Sequence, residues 1–308
     1  MRKTSLDCVY ELAKKDKRVL FIGSDLGPGV LDNFKKEMPE RFFMEGVAEQ
    51  FIIGMSAGLA KEGFIPYVNT IATFLTRRCY EQVAIDLCLH DLPVRLIGNG
   101  GGLVYAPLGP THLAFEDLAL MRSLPNMTIL SPCDAQEMRI LMHQTLNYLH
   151  PIYIRLGRGG EKIITNSSPN IKIGQGVLFK KPKHVLIISS GTMTQKALEV
   201  SEILFKENIQ AGVLHLHTVK PIDSAKIIEY SKSLDLIVTI EEHIKSGGLG
   251  SSVLEVLSDD SNSNLPKIIR VGIEDKFPHE YGNQDSLQDS LGLNVNKIVK
   301  KILNFFKK

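Results

Sequence analysis

No apolar stretch in this sequence approaches the roughly 20 residues that a bilayer-spanning helix needs; runs such as 51–60 are far shorter. The opening Met1-Arg2-Lys3-Thr4-Ser5-Leu6-Asp7-Cys8 places acid and base where a signal peptide needs an apolar core, so nothing argues for export and a cytoplasmic location is expected. Charge of one sign is not in excess. The 36 Lys and Arg against 34 Asp and Glu leave +2, which gives no reason to expect nucleic acid or an anionic membrane as partner. Cysteine is sparse: Cys8, Cys79, Cys88 and Cys133 lack paired metal-type spacing and read as reduced, partly buried thiols. There is no Gly-x-x-x-x-Gly-Lys-Ser/Thr phosphate loop, and no Gly-x-Gly-x-x-Gly between a strand and a helix. The run Gly98-Asn99-Gly100-Gly101-Gly102 follows a strand, but Pro107 and Pro110 come after it, so a flexible substrate-side loop is expected there.

The chain has 308 residues, 44% of them hydrophobic and 23% charged, enough for two soluble domains rather than one large core. Short β-rich runs alternate with helical patterns, the mark of α/β architecture with largely parallel sheets. Strands are expected at 18–24, 64–69, 93–98, 127–131 and 151–156, with helices at 46–62, 73–90, 114–123 and 134–149. The polar stretch Arg158–Pro182 holds six glycines and prolines and little periodicity. A second α/β set follows, with strands near 184–190, 211–217, 235–241 and 267–271 and helices near 194–207, 223–232, 247–257 and 294–306. The expected fold is therefore two doubly wound domains, 1–165 and 183–308, joined by a linker at 166–182. The closing helix spaces Val295, Ile298, Val299, Ile302, Leu303 and Phe306 for docking on the second domain.

Four segments carry candidate chemistry. From Val47 to Ala60 the only ionisable residue is Glu49, on a helix apolar around most of its circumference. A carboxylate buried there needs a strong partner or a proton; alternatively it lies in the first turn and complements the helix dipole. Gly54 and Gly58 let another backbone approach, which suits an interface. Asn69–Val83 runs from strand end into helix, where open α/β sheets place ligands. Within it Phe74 reads equally as core, and Arg77 and Arg78 as a solvated face. Gly109-Pro110-Thr111-His112 opens into a helix, although a lone histidine there is more often structural. Arg155-Leu156-Gly157-Arg158-Gly159-Gly160 sets two arginines on a glycine-rich turn suited to phosphate, or to a plain surface turn. His215 and His217 face one side of a strand but lack a nearby third ligand, so they read as packing and no metal site is assigned.

In this order and spacing, Gly46-Val47-Ala48-Glu49-Gln50, Thr73-Phe74-Leu75, Leu92-Pro93-Val94-Arg95, Gly109-Pro110-Thr111-His112, Leu124-Pro125-Asn126-Met127 and Ser131-Pro132-Cys133-Asp134 resemble the pyrimidine-binding domain of transketolases and deoxyxylulose-phosphate synthases. Ser190-Gly191-Thr192, Lys220-Pro221-Ile222-Asp223 and Glu241-Glu242-His243 with Gly247-Gly248-Leu249-Gly250-Ser251 resemble the same family's C-terminal domain. The resemblance covers nearly the whole chain. It implies a two-carbon ketol transferase using thiamine diphosphate. Glu49 then bonds the aminopyrimidine ring and sets its tautomer, and Phe74 stacks on it, with Arg77 a weaker cofactor contact. His112 serves proton transfer or holds a ketose hydroxyl, and Arg158 grips the substrate phosphate.

The family's Gly-Asp-Gly…Asn motif, which holds the diphosphate and Mg2+, is missing: no Gly-Asp dipeptide occurs. The resemblance thus implies a separate N-terminal chain that carries the diphosphate site and most of the metal contacts, in an assembly with two copies of each chain. Two departures bear on the sugar. Leu108 stands where the family places an acid that touches sugar hydroxyls, and Gly100–Gly102 where it places a His or Arg. A branched or otherwise modified sugar phosphate is expected. A decarboxylating, deoxyxylulose-phosphate-synthase-like or 2-oxo acid reaction is the nearest alternative, and a non-catalytic scaffold subunit the one from another class.

Overall fold

The structure, a computed structural model, describes residues 1–24, 29–165, 170–232, 234–260 and 265–307. Residues 166–169 of the expected linker lie outside that set. Six strands of the first domain, β1 (Val19–Gly23), β2 (Phe42–Met44), β3 (Ile65–Ile71), β4 (Arg95–Asn99), β5 (Thr128–Leu130) and β6 (Ile152–Leu156), form a parallel sheet in the order 5-6-4-3-1-2. Such a sheet must be covered on both faces. Helices Arg2–Lys15 and Ala135–Thr145 cover one, through Leu6, Val9, Leu12, Met138 and Leu141. Helix Glu49–Lys61 and the segment 74–89 cover the other, through Ile52, Ile53, Leu75, Val83 and Leu87.

The second domain holds β7 (Val177–Lys180), β8 (Val185–Ser189), β9 (Ala211–His215), β10 (Thr218–Lys220), β11 (Leu236–Ile244) and β12 (Lys267–Ile273). Five of these make a sheet ordered 12-11-8-9-7, in which β7 is the antiparallel edge. Helices Met193–Lys206 and Val295–Phe306 pack on one face. Ile298, Val299 and Ile302 of the closing helix are buried there, whereas Phe306 stays at the surface. Strand β10 leaves its own domain and pairs antiparallel with β5, so the first domain's sheet extends across the seam.

Two local outcomes differ from expectation. The expected helix 73–90 is π-helical over Phe74–Arg78 and Val83–Leu89, with a short α-turn at Tyr80–Gln82. The Thr76 hydroxyl bonds back to the Ala72 carbonyl at 2.9 Å inside this stretch. And the expected strand 211–217 breaks after His215, so His215 and His217 do not share a strand.

Candidate active site

Glu49 opens its helix and is only 2% exposed. Its Oε2 lies 2.8 Å from a guanidinium nitrogen of Arg78, an ion pair with one partner buried. The same guanidinium sits 4.2 Å from the centroid of the Phe74 ring. One side chain therefore bridges the buried carboxylate and the aromatic face, and Phe74 and Arg78 stand four apart in a helical segment, where side chains meet. Phe74 in turn meets the His112 ring edge-on, with centroids 5.3 Å apart. Thr111 Oγ1 lies 2.9 Å from His112 Nδ1, and Tyr105 packs against the ring's other side, centroids 6.4 Å apart. Glu49, Phe74 and His112 thus form one continuous site, chained through Arg78.

Backbone strain marks the approach to Glu49. Gly46 and Val47 both adopt positive φ, 64° and 57°. For a β-branched residue this costs about 1–3 kcal/mol and persists only where the surroundings impose it. Val47 is also 81% exposed, and Phe43, Met44, Phe51, Ile85 and Leu89 are exposed as well. A Cβ added at Gly58 on the same helix would meet nothing within 4 Å.

Arg77 reaches the Phe115 ring, its guanidinium carbon 5.5 Å from the centroid. It pairs with Glu116 and donates to the carbonyls of Pro110 at 3.0 Å and Leu113 at 2.7 Å. Those bonds fix both ends of the turn that presents His112. The glycine run upstream is packed, not open: a Cβ at Gly100 would strike the Tyr105 ring, at Gly101 the Arg155 stem, and at Gly102 the Glu242 carboxylate. Gly102 exchanges two backbone bonds of 2.9 Å with Ala114, which ties the run to the far side of the His112 turn.

Arg158 is exposed at the mouth of a cavity of about 410 Å³ lined by Arg2, Gly100, Tyr105, Leu108, Asn283 and Gln284 among others. Leu108, 51% exposed, forms an apolar wall there. Arg2, Asn283 and Gln284 were not foreseen; they come from the first helix and from the far domain, and no local sequence signal joins them to Arg158.

Behind the site lies a buried polar seam. Asp117 accepts bonds of 2.8 Å from Arg155 Nε and from the Tyr153 hydroxyl. Arg155 also donates to the carbonyls of Ala114 at 3.1 Å and of Glu242, in the second domain, at 3.0 Å. Burial first, and Asp117 next, push the Tyr153 hydroxyl well above its ordinary range. His243 accepts a 3.2 Å bond at Nε2 from the Ala119 N–H and contacts the Ile244 carbonyl through Nδ1 at 2.6 Å, so the neutral Nδ1–H tautomer satisfies both. Burial lowers its pKa to about 4. Glu241, buried beside it, is raised to about 7 by desolvation, against the pull of the Leu249 and Gly250 N–H groups.

An aminopyrimidine ring needs a carboxylate acceptor and an aromatic face, and Glu49 and Phe74 offer both within the reach of one guanidinium. The residues fit that half of thiamine diphosphate. Among the described residues, the two clusters of three ligand-type side chains lie elsewhere, at Cys8, Glu11 and His143 and at Cys133, Glu137 and His215.

The family model for the transketolase pyrimidine-binding domain matches residues 1–160, and that for the transketolase C-terminal domain matches 174–298. The chain belongs to the transketolase family. It is 34% identical to a subunit of apulose-4-phosphate transketolase from Phocaeicola vulgatus, covering 100% of this chain and 97% of that one. It is 36% identical to 1-deoxy-D-xylulose-5-phosphate synthase of Caldanaerobacter subterraneus over 96% of this chain, yet spans only 47% of that longer relative. A solved structure described as a split gene transketolase, inactive beta4 tetramer, superposes with a TM-score of 0.88 at 34% identity, covering 99% of this chain and 97% of that one. Among the described residues no helix is long and apolar enough to cross a membrane.

Proposed function

We propose that this chain is the C-terminal subunit of a thiamine diphosphate-dependent transketolase, which with a separate diphosphate-binding chain moves a two-carbon ketol unit from a ketose phosphate to an aldehyde. The observation that carries the reading is the buried Glu49 carboxylate joined through Arg78 to the Phe74 face, beside His112. When bound, the cofactor supplies the carbon nucleophile and the electron sink. Glu49 holds one ring nitrogen and so governs the tautomer, Phe74 fixes the ring plane, and His112 holds or moves a proton at the substrate. Arg77 positions the His112 turn. Arg78 must release the Phe74 face as the ring arrives, which leaves its cation at the rim of the site.

Mg2+ and the diphosphate belong to the partner chain, which seats on the exposed apolar residues Phe43, Met44, Val47 and Phe51 that flank Glu49 in sequence. The complete enzyme holds two copies of each chain; the split-gene relative, described as an inactive beta4 tetramer, supports self-association of this kind of chain and not that stoichiometry. Arg158, with Arg2 across the cavity, receives the sugar phosphate. The apolar Leu108 wall there favours a sugar lacking the hydroxyl pattern of ordinary pentose phosphates, as apulose 4-phosphate, named for one relative, would be. The domain boundary falls within 166–182. The likeness to 1-deoxy-D-xylulose-5-phosphate synthase keeps a decarboxylating reaction as the second reading. Reconstitution with the partner chain separates them: ketol transfer without gas release supports the proposal, and carbon dioxide from pyruvate overturns it.

A further inference from the structure

The ligand-type neighbours that sequence spacing did not supply to His215 come from the other domain. Cys133, just after β5, and Glu137, in the first turn of helix Ala135–Thr145, meet His215 at the end of β9. One ligand-type atom from each of these three lies within 4.8 Å of the other two, and all three side chains are fully buried. Glu137 Oε2 lies 2.9 Å from His215 Nε2 and accepts a 2.8 Å bond from the Cys133 N–H. Its Oε1 is buried with no partner. The buried His217 ring lies beside His215, centroids 5.9 Å apart, and its Nε2 is also without a partner. Both rings have Nδ1 against a threonine hydroxyl, Thr194 at 2.7 Å and Thr218 at 2.9 Å. That is how metal-binding histidines are oriented, with the outer nitrogen fixed and Nε2 left for the ion.

A cluster serving packing alone would leave the buried Glu137 Oε1 unpaired, at about 1–3 kcal/mol. We propose that Cys133 Sγ, the Glu137 carboxylate and His215 Nε2 bind a zinc-type divalent ion at the seam between the domains, with the fourth position taken by a solvent molecule. Tetrahedral bonds of about 2.0–2.3 Å set ligand atoms about 3.3–3.8 Å apart, so Glu137–His215 opens by some tenths of an ångström and the Cys133 pairs close by about 1 Å at most. The charge closes as well. On binding, the thiol gives its proton to solvent, and thiolate plus carboxylate neutralise a 2+ ion held also by one neutral imidazole, which permits burial. Sulfur and nitrogen ligands select zinc over the hard, oxygen-seeking Mg2+ of the cofactor site. The ion bolts the second domain to the first, away from Glu49.

The test uses the full chain. After growth with zinc and dialysis without chelator, elemental analysis should find about one zinc per chain. Cobalt substitution should give the thiolate-to-cobalt charge-transfer band, and Cys133→Ser should abolish it. Zinc affinity should fall at least about 100-fold in Cys133→Ser and at least about tenfold in His215→Gln. His217→Gln, beside the site but not in it, should bind zinc nearly as wild type does, so a loss confined to Cys133 and His215 variants separates the ion from general packing. If Cys133→Ser fails to fold, the wild-type cobalt spectrum decides. A wild-type chain with under about a tenth of an equivalent of zinc and no thiolate band on cobalt titration would overturn the proposal.

Discussion

Replacing Asp117 by alanine should be among the most damaging single changes in the chain. Its carboxylate is fully buried and takes the Arg155 guanidinium and the Tyr153 hydroxyl, both at 2.8 Å. Alanine strands a buried cation, at about 3–5 kcal/mol, and leaves the tyrosine hydroxyl unpaired, at about 1 kcal/mol or more. At about 2–4 °C per kcal/mol for domains of this size, the melting temperature should drop by roughly 10 °C or more. Removing both charges, in Asp117→Ala/Arg155→Met, should cost much less than the sum of the single changes, with a coupling of about 2 kcal/mol or more. Thermal unfolding of wild type, both singles and the double variant closes the cycle. A coupling below about 0.5 kcal/mol, or a loss below about 1 kcal/mol in Asp117→Ala, would show that the seam network does not hold the domains together as described.

Glu49→Gln should cut turnover of the reconstituted enzyme about 10²–10⁴-fold while leaving its assembled mass unchanged; unchanged turnover would remove Glu49 from the chemistry. Phe74→Ala should raise the cofactor dissociation constant about tenfold by titration, the loss of one aromatic stacking face. Gly102→Ala puts a methyl group into the Glu242 carboxylate at a φ of 69°, so differential scanning should show a loss of about 1–3 kcal/mol. His243, with its folded pKa lowered by burial from an ordinary 6.5 to about 4, stays neutral while the unfolded chain takes a proton. Its contribution is complete above pH 6.5 and is lost as the pH falls toward 4. The melting temperature of wild type should therefore fall more steeply over that window than that of His243→Asn.

Much of the architecture was legible because parallel strands buried on both faces read as short apolar runs. Val19–Gly23, Arg95–Asn99 and Val185–Ser189 fall inside or within a residue of their expected spans. The closing helix was equally plain, since its apolar residues recur at helical spacing. The π-helical turns of 74–89 were not legible, because their periodicity differs from an α-helix by less than a short window resolves. Single-residue environments were harder. Glu49 stood out as the lone charge on an apolar helix, and its burial follows from that. Arg78 did not, because an arginine beside another arginine looks solvated, and only its spacing of four from Phe74 hinted at the contact. The glycines at 100–102 suggested mobility, whereas each lies where a neighbour leaves no room for a Cβ. The seam network of Asp117, Arg155, Glu242 and His243 joins the two domains across long stretches of chain. Local pattern carries no information about such pairs.

If this chain supplies the pyrimidine half of a site completed by another polypeptide, the two must travel together. A native pull-down from source cells, with copurifying chains identified by mass, should therefore recover one stoichiometric partner carrying Gly-Asp-Gly…Asn, in a complex that turns over a ketose phosphate with thiamine diphosphate and Mg2+. A homodimer that emerges alone, binds the cofactor tightly and transfers ketol units unaided would contradict the shared site.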